Sequence, residues 1–348
     1  MDSLHKMRNK DLKIYDVIKS ISAQYPEYNA INCLNLTYTY KELIDDTIMY
    51  IRAFHELGIK EKDVVSISMP NFYEAVCAYL ALSKIGAVTT FLNPNIGFDR
   101  EIKLLNQLET EYLINYNKTT DYNKNIKNFT NIRNIITLQN YELGLKRKQG
   151  ISHLLGYTDY LKFGDIESLS HCNNFMGSKK KNNDSLLFIT SSINGKMNQV
   201  LLNDRQILNT FSSKEKKVVN FNNKQKSLVT VPFYYKFGFV DSLLNSLVNG
   251  FETILAPNIS RVNVDYYYRK NPNIVYCEAN FVELSKNNIN NYRNLSSINT
   301  IILNRDNITD EIVISIQEFY KKYGCDVKLF DENWDEYSVV ENKQKVMK

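Results

Sequence analysis

The sequence predicts a layered α/β protein built on parallel sheets, and three observations predict it. Short β-branched runs recur between helical stretches, as in V-V-S-I-S-M at Val64–Met69 and L-L-F-I-T at Leu186–Thr190. Pro70 and the pair Asn93-Pro94 punctuate these runs where a crossover helix begins or a strand ends. A length of 348 residues with an apolar share of 43% gives one large or two ordinary domains a sizeable core.

The first clear unit runs from Val64 to Leu92. Val64–Met69 is a strand stopped by Pro70, and Asn71 with Glu74 three residues on reads as a capping box opening a helix through Ala81. Gly86 ends that helix, and Ala87–Leu92 is the next strand, parallel to the first. The stretch Ala75–Leu92 carries Lys84 and Gly86 in its middle, so it reads as helix and strand rather than as a membrane span. From Tyr116 to Asp184 the pattern weakens into a polar interval. It then resumes with strands expected at Leu186–Thr190, Leu228–Val231, Thr253–Ala256, Ile274–Tyr276 and Thr300–Leu303. Helices are expected near Asp204–Ser213, Phe239–Val248 and Asp310–Tyr323, with Gly250 and Gly324 at C-terminal caps. The expected organisation is an N-terminal α/β subdomain at 1–150, a polar boundary segment at 151–184, a second α/β subdomain at 185–340 and a frayed tail at 341–348.

Composition excludes several classes. A net charge of +5 from 43 basic and 38 acidic residues, without a basic run interleaved with aromatics, implies no nucleic-acid partner. Lys179–Lys181 is a short solvated run. The five cysteines, Cys33, Cys77, Cys172, Cys277 and Cys325, are widely spaced and make neither a disulfide framework nor a zinc site. The charged segment Met1–Lys10 lacks an export signal's apolar core, and a cytoplasmic location without a transmembrane segment is expected. Glycine is scarce, at 12 residues, so each one near a nucleotide motif carries weight.

The segment F-I-T-S-S-I-N-G-K-M-N-Q-V at Phe188–Val200 has the outline of a phosphate loop. A buried-type strand delivers the hydroxyls of Thr190, Ser191 and Ser192, and Gly195-Lys196 follows with backbone N–H groups and one ammonium for an anion. It is no Walker A loop, which needs glycine where Thr190 stands and a hydroxyl residue where Met197 stands. Taken by itself, the segment is either a polar turn between two strands or an anion-binding loop.

With these parts in order, the sequence resembles the AMP-binding, adenylate-forming enzymes, the family of acyl-CoA and aryl-CoA synthetases and peptide-synthetase adenylation domains. The likeness is carried by Tyr25-Pro26, L-T-Y-T-Y-K-E-L at Leu36–Leu43, Leu57-Gly58-Ile59, Lys62–Val65, M-P-N-F-Y-E-A at Met69–Ala75, L-A-L-S-K-I-G-A-V at Leu80–Val88 and Asn93-Pro94. It extends to about Glu336 and implies the N-terminal domain of that family, with two sheet-containing subdomains. In the family's loop T-S-G-T-T-G-K-P-K-G, this chain matches at Thr190, Ser191, Gly195 and Lys196 and departs at Ser192, Ile193, Asn194, Met197, Asn198 and Gln199. P-F-Y-Y-K-F-G-F at Pro232–Phe239 resembles the segment beside the family's acyl pocket, with Tyr235 in place of a histidine and Gly238 retained. Tyr235 is either a ligand contact or part of a packed aromatic turn. Asn304, Arg305 and Asp306 fall in the adenine region, and Glu336, in D-E-N-W-D-E, aligns with a metal-associated glutamate that otherwise reads as a surface acidic turn.

The resemblance implies ATP- and Mg²⁺-dependent activation of a small carboxylic acid as an acyl-adenylate for transfer to a thiol such as coenzyme A, with Lys196 as the catalytic cation. The ribose-binding aspartate, hinge and C-terminal lid domain of the family have no counterpart in the sequence, so a truncated chain, weak in isolation or completed by a separately encoded C-terminal part, is expected. The thinned donor set leaves a second reading open, a non-catalytic pseudoenzyme that binds an acyl or aryl ligand or serves as an interaction subunit.

Overall fold

The computed structural model describes residues 12–139, 161–162, 165–171, 175–177, 184–191, 197–212, 225–257, 264–288, 295–304, 308–330 and 337–338. The chain divides into two compact units, Met1–Leu208 with Phe233–Tyr235, and Asn209–Pro232 with Lys236–Lys348.

The first unit opens with α1 (Ile14–Gln24), the antiparallel strands β1 (Asn29–Cys33) and β2 (Leu36–Thr39), and α2 (Tyr40–Glu56). A capping box joins β2 to α2: Glu42 N–H donates to Thr39 Oγ1 at 3.1 Å, and Thr39 N–H donates to Glu42 Oε2 at 2.8 Å. There follow β3 (Val64–Ser68), α3 (Tyr73–Ile85), β4 (Val88–Phe91), α4 (Phe98–Gln107), β5 (Tyr112–Tyr116), α5 (Thr120–Phe129) and β6 (Asn134–Leu138). Then come β7 (Leu161–Lys162), α6 (Asp165–Ser170), β8 (Asp184–Ser191), β9 (Met197–Asn203) and α7 (Asp204–Ser212). The sheet order is β7-β6-β5-β3-β4-β8-β9, parallel throughout except that β9 returns antiparallel on β8.

The expected strand–helix–strand unit is present, with Val65 paired to Thr89 and Ile67 to Phe91. Helix α3 is buried along nearly its whole surface, which is why Ala75–Leu92 is so apolar. Among the described residues no helix is long and apolar enough to cross a membrane. Gly86 ends α3 in the left-handed region, at φ 95°, as expected, and the helix runs past Ala81 to Ile85. The capping box expected at Asn71 and Glu74 does not form. Phe72 is the N-cap and offers no side-chain bond, while the Asn71 carboxamide oxygen accepts from Phe233 N–H at 3.0 Å. Asn71 is taken by a contact far away in sequence, which local spacing does not reveal.

The polar interval after Tyr116 holds α5 and β6. Their pattern is hidden because a polar residue does a core residue's work: the buried positions of α5 are Asn123 and Ile126. Asn115 donates to Asn123, Asn123 to Thr137 and Thr137 back to Asn115, at 2.9, 2.9 and 2.8 Å, a closed ring fully out of water. The break expected before residue 185 also falls elsewhere, because β8 pairs in parallel with β4 and belongs to the first sheet.

Charge is buried at the start of α1. Lys13 Nζ donates to the carbonyls of Ser83 and Lys84, at 3.0 and 3.2 Å, in the last turn of α3. Asp204, the first residue of α7, accepts through Oδ2 from Ile14 N–H at 3.2 Å and Ser83 Oγ at 3.0 Å. Burial pushes the Asp204 carboxyl up and the Lys13 ammonium down.

The second unit contains β10 (Lys226–Val229), a π-helix (Phe237–Leu244) continued by α8 (Asn245–Val248), β11 (Glu252–Leu255), α9 (Val264–Tyr268) and β12 (Ile274–Cys277). It continues with α10 (Ala279–Asn288), β13 (Thr300–Asn304), α11 (Asp310–Lys321), β14 (Asp326–Phe330) and β15 (Tyr337–Ser338). Strands β14-β13-β12-β10-β11 lie side by side and parallel, and β15 adds antiparallel to β14. Their near-continuous burial is what a sheet covered on both faces demands. The expected strands all occur, with Leu228–Val231 ending early at Val229. The helix expected at Phe239–Val248 starts two residues sooner and is π-wound to Leu244. Gly250 and Gly324 take left-handed φ of 77° and 73° after α8 and α11.

Candidate functional site

The phosphate-loop candidate takes in the adjoining ends of the antiparallel strands β8 and β9 of the first unit. Thr190 and Ser191 are the last residues of β8, paired with Asn198 and Met197 of β9. Ser192, Gly195 and Lys196 lie outside the described residues. β9 is the end strand of its sheet, and Val200 and Leu201 are exposed.

In the second unit the carboxyl ends of β10, β12, β13 and β14 all point one way, the edge at which parallel α/β sheets bind ligands. Asn304, buried at 6% exposure, ends β13 and pairs with Phe330 at the end of β14. Arg305 and Asp306 lie outside the described residues, as do Glu336 and its neighbours Asp331, Glu332 and Asp335. Among the described residues no group of three His, Cys, Asp or Glu is placed to hold a metal ion.

The chain leaves β10 through Thr230, whose Oγ1 donates to the carbonyl of Tyr276 at 3.0 Å, and enters the π-helix at Phe237. Gly238 is required there: a Cβ would lie 2.3 Å from the carbonyl oxygen of Pro232 and 2.7 Å from that of Val231. The retained glycine of the acyl-pocket motif therefore has a packing reason in this chain. Phe237 stacks on Phe330 with centroids 4.7 Å apart and meets Tyr276 edge-on at 6.2 Å. Lys236 Nζ stands 3.8 Å from Asp241 Oδ2 and 5.9 Å from the centre of the Phe330 ring. Burial raises the Tyr276 phenol, with hydrogen bonding to Ser246 pulling it down and the charge of Asp241 pushing it up. Tyr235 belongs to the first unit, where its ring is 4.6 Å from that of Tyr234 and 42% exposed.

Motif reading missed Lys236 and Asp241. The signal available was one carboxylate inside the apolar run F-G-F-V-D-S-L-L, and five-residue spacing gave no reason to pair it with the lysine.

The model of the family described as AMP-binding enzyme matches residues 19–330. Tyrocidine synthase 3 of Brevibacillus parabrevis is 29% identical over 105 residues, 30% of this chain and 2% of that protein. The 2,3-dihydroxybenzoate-AMP ligase of Bacillus subtilis (strain 168) is 31% identical over 80 residues, 23% of this chain and 15% of that protein. The matched stretches are thus a small part of these relatives' lengths. In structure, the chain is similar to a putative long-chain-fatty-acid CoA ligase from Rhodopseudomonas palustris, with a TM-score of 0.77 and 12% identity over 94% of this chain and 77% of that one. It is also similar to the anthranilate CoA ligase AuaEII in complex with anthranoyl-AMP, with a TM-score of 0.76 and 14% identity over 92% of this chain and 60% of that one. These likenesses show the fold, that of the N-terminal domain of adenylate-forming enzymes. With the family model matched across most of its length, the chain belongs to the AMP-binding enzyme family.

Proposed function

We propose that this chain binds a small carboxylic acid at the carboxyl edge of the second unit's sheet and activates it with ATP and Mg²⁺ as an acyl- or aryl-adenylate for transfer to a thiol, coenzyme A being the candidate acceptor. The observation that carries the acid site is the π-helix at the motif K-F-G-F-V-D. Runs of π-helix are rare and concentrate at functional positions, and this one starts at the sheet edge where ligands bind. Attack of a carboxylate on a phosphate brings two anions together, so the reaction depends on fixed cations and donors. The donor chemistry of the segment Thr190–Lys196 suits a nucleotide phosphate, with hydroxyls from Thr190, Ser191 and Ser192 and the ammonium of Lys196. Lys196 is assigned the phosphate charge, Glu336 the metal and Asn304 with Arg305 and Asp306 the adenine region.

A second reading, an acid-binding protein without turnover, is supported by the same stretch of sequence. Ile193, Asn194 and Met197 occupy positions where glycine, hydroxyl or cationic groups would hold a triphosphate. ATP–pyrophosphate exchange over a panel of carboxylic acids separates the two. Activity lost in Lys196→Ala by about 100-fold or more establishes catalysis. Thermal stabilisation by acids without exchange, and without stabilisation by Mg-ATP, establishes the binder.

A further inference from the structure

The two ends of the first unit's sheet are built differently. At one end β7 is two residues long, and at the other β9 runs for seven, M-N-Q-V-L-L-N. An end strand offers a row of N–H and C=O groups to any chain that can pair with it, and proteins blunt such edges with short strands, charges, prolines or bulges. β7 is blunted by its shortness. β9 has no charged residue and no proline, and it pairs with β8 without interruption from Met197 to Leu202. The one irregularity lies beyond that stretch, between Asp184 and Leu186 of β8.

Side chains alternate between the two faces along a strand, so a strand covered on one face hides every second residue. Gln199, Val200 and Leu201 are consecutive and all exposed, Val200 at 38% and Leu201 at 44%. Val200 and Leu201 are the only two large apolar side chains among the described residues that are both exposed and adjacent in sequence. β9 is therefore open on both faces at the place where its outer edge has no neighbouring strand among the described residues.

This strand is complementary to itself. Two copies related by a two-fold axis normal to the sheet pair antiparallel, and residues directly opposite each other point to the same face, so the axis passes through a residue. Val200 is the middle residue of the seven, and an axis there pairs all of them. Val200 then meets the partner's Val200 on one face. On the other face Leu201 stands opposite the partner's Gln199 and diagonal to the partner's Leu201, within side-chain reach. The exposed apolar groups of both copies are covered together. No like charges are brought opposite each other, because the strand carries none.

We propose that β9 is a self-association edge, at which two copies of this chain join their first-unit sheets through one antiparallel ribbon centred on Val200. Seven residue pairs span about 23 Å, a smaller contact than a permanent dimer needs, so the association is weak and concentration-dependent.

Sedimentation velocity of the full chain, from about 1 to about 300 µM, tests it, with a monomer–dimer midpoint of the order of tens of micromolar expected. Val200→Lys and Leu201→Lys each set a charge near its own copy at the axis and hold the chain as a monomer. Ile314→Lys, at a comparably exposed apolar position on α11, leaves the dimer in place. Register is read by cross-linking with copper-phenanthroline. Val200→Cys forms a disulfide-linked dimer, since the axis sets that position against itself. Leu202→Cys, four residues away from its own copy along the ribbon, does no better than the wild type. A monomer throughout the range leaves the edge to another protein's strand and overturns the proposal. So does a dimer that survives both lysine substitutions, or equal cross-linking at the two cysteine positions. Should the lysine variants fail to fold, the cysteine pair decides: cross-linking confined to Val200→Cys supports the proposal, and any other pattern ends it.

Discussion

The two units bury charge in opposite ways. In the first, Lys13 and Asp204 are bound to backbone and hydroxyl groups of α1 and α3 at ordinary hydrogen-bond distances. In the second, Lys236 and Asp241 share one helix and meet at 3.8 Å, the outer limit of an ion pair. The first arrangement fastens α1 and α7 to the end of α3. The second is a long ion pair between positions five apart in one helical segment, and a pair of that length returns little of the desolvation its charges cost.

Matched truncations are the strongest way to break this contrast. Asp204→Ala leaves Ile14 N–H and Ser83 Oγ without their acceptor and Lys13 without its nearby opposite charge. It is expected to cost about 3 kcal/mol in urea denaturation, against about 1 kcal/mol for Asp241→Ala, whose lysine can reach water. Equal costs would remove the distinction between the units.

Acidity sharpens it next. The folded-state carboxyl of Asp204 is raised by burial, so the folded chain holds that proton more tightly than the unfolded one. Its contribution is fully present below the ordinary carboxylate range and is lost as pH rises through the raised folded value. Stability relative to Asp204→Asn is therefore expected to fall with rising pH across that window, in denaturation curves taken between about pH 3 and pH 8. A difference independent of pH would mean that the group titrates alike in both states. The smallest effect belongs to the entry of α2. Thr39→Ala removes one half of the capping box and is expected to cost about 1 kcal/mol, with Thr39→Ser restoring most of it.

Much of the fold was legible because local and long-range demands agree. Val64–Ser68, Val88–Phe91 and Thr300–Asn304 are β-branched runs that become fully packed strands, and Gly86 sits where a left-handed cap is required. Legibility failed where a distant partner or a polar core intervened. Asn71 serves Phe233 instead of capping α3, and Asn123 replaces an apolar residue in α5. The capping box at Thr39 and Glu42 was visible as T-Y-K-E yet lay unread inside a family motif. Of the candidate site, the two strands flanking Ser192–Lys196 were one of two readings of that segment, while Gly238, read from the motif as an acyl-pocket residue, shows a packing requirement that spacing alone does not reveal. The Lys236–Asp241 pair was not legible, since its spacing makes sense only on a helix wound more widely than the usual one.

The pairing of β8 with β9 bears on how this chain can change. From Leu186 to Ser191 on one strand and from Met197 to Leu202 on the other, the residues pair one to one, with Leu187 opposite Leu201 and Ile189 opposite Gln199. One inserted residue in β9 would exchange inward for outward side chains along the whole ribbon, whereas insertions between Ser191 and Met197 would leave both strands undisturbed. Sequence change between the two strands is thereby uncoupled from the sheet beneath it, so that stretch can vary in length and composition while the register of β8 on β9 is kept.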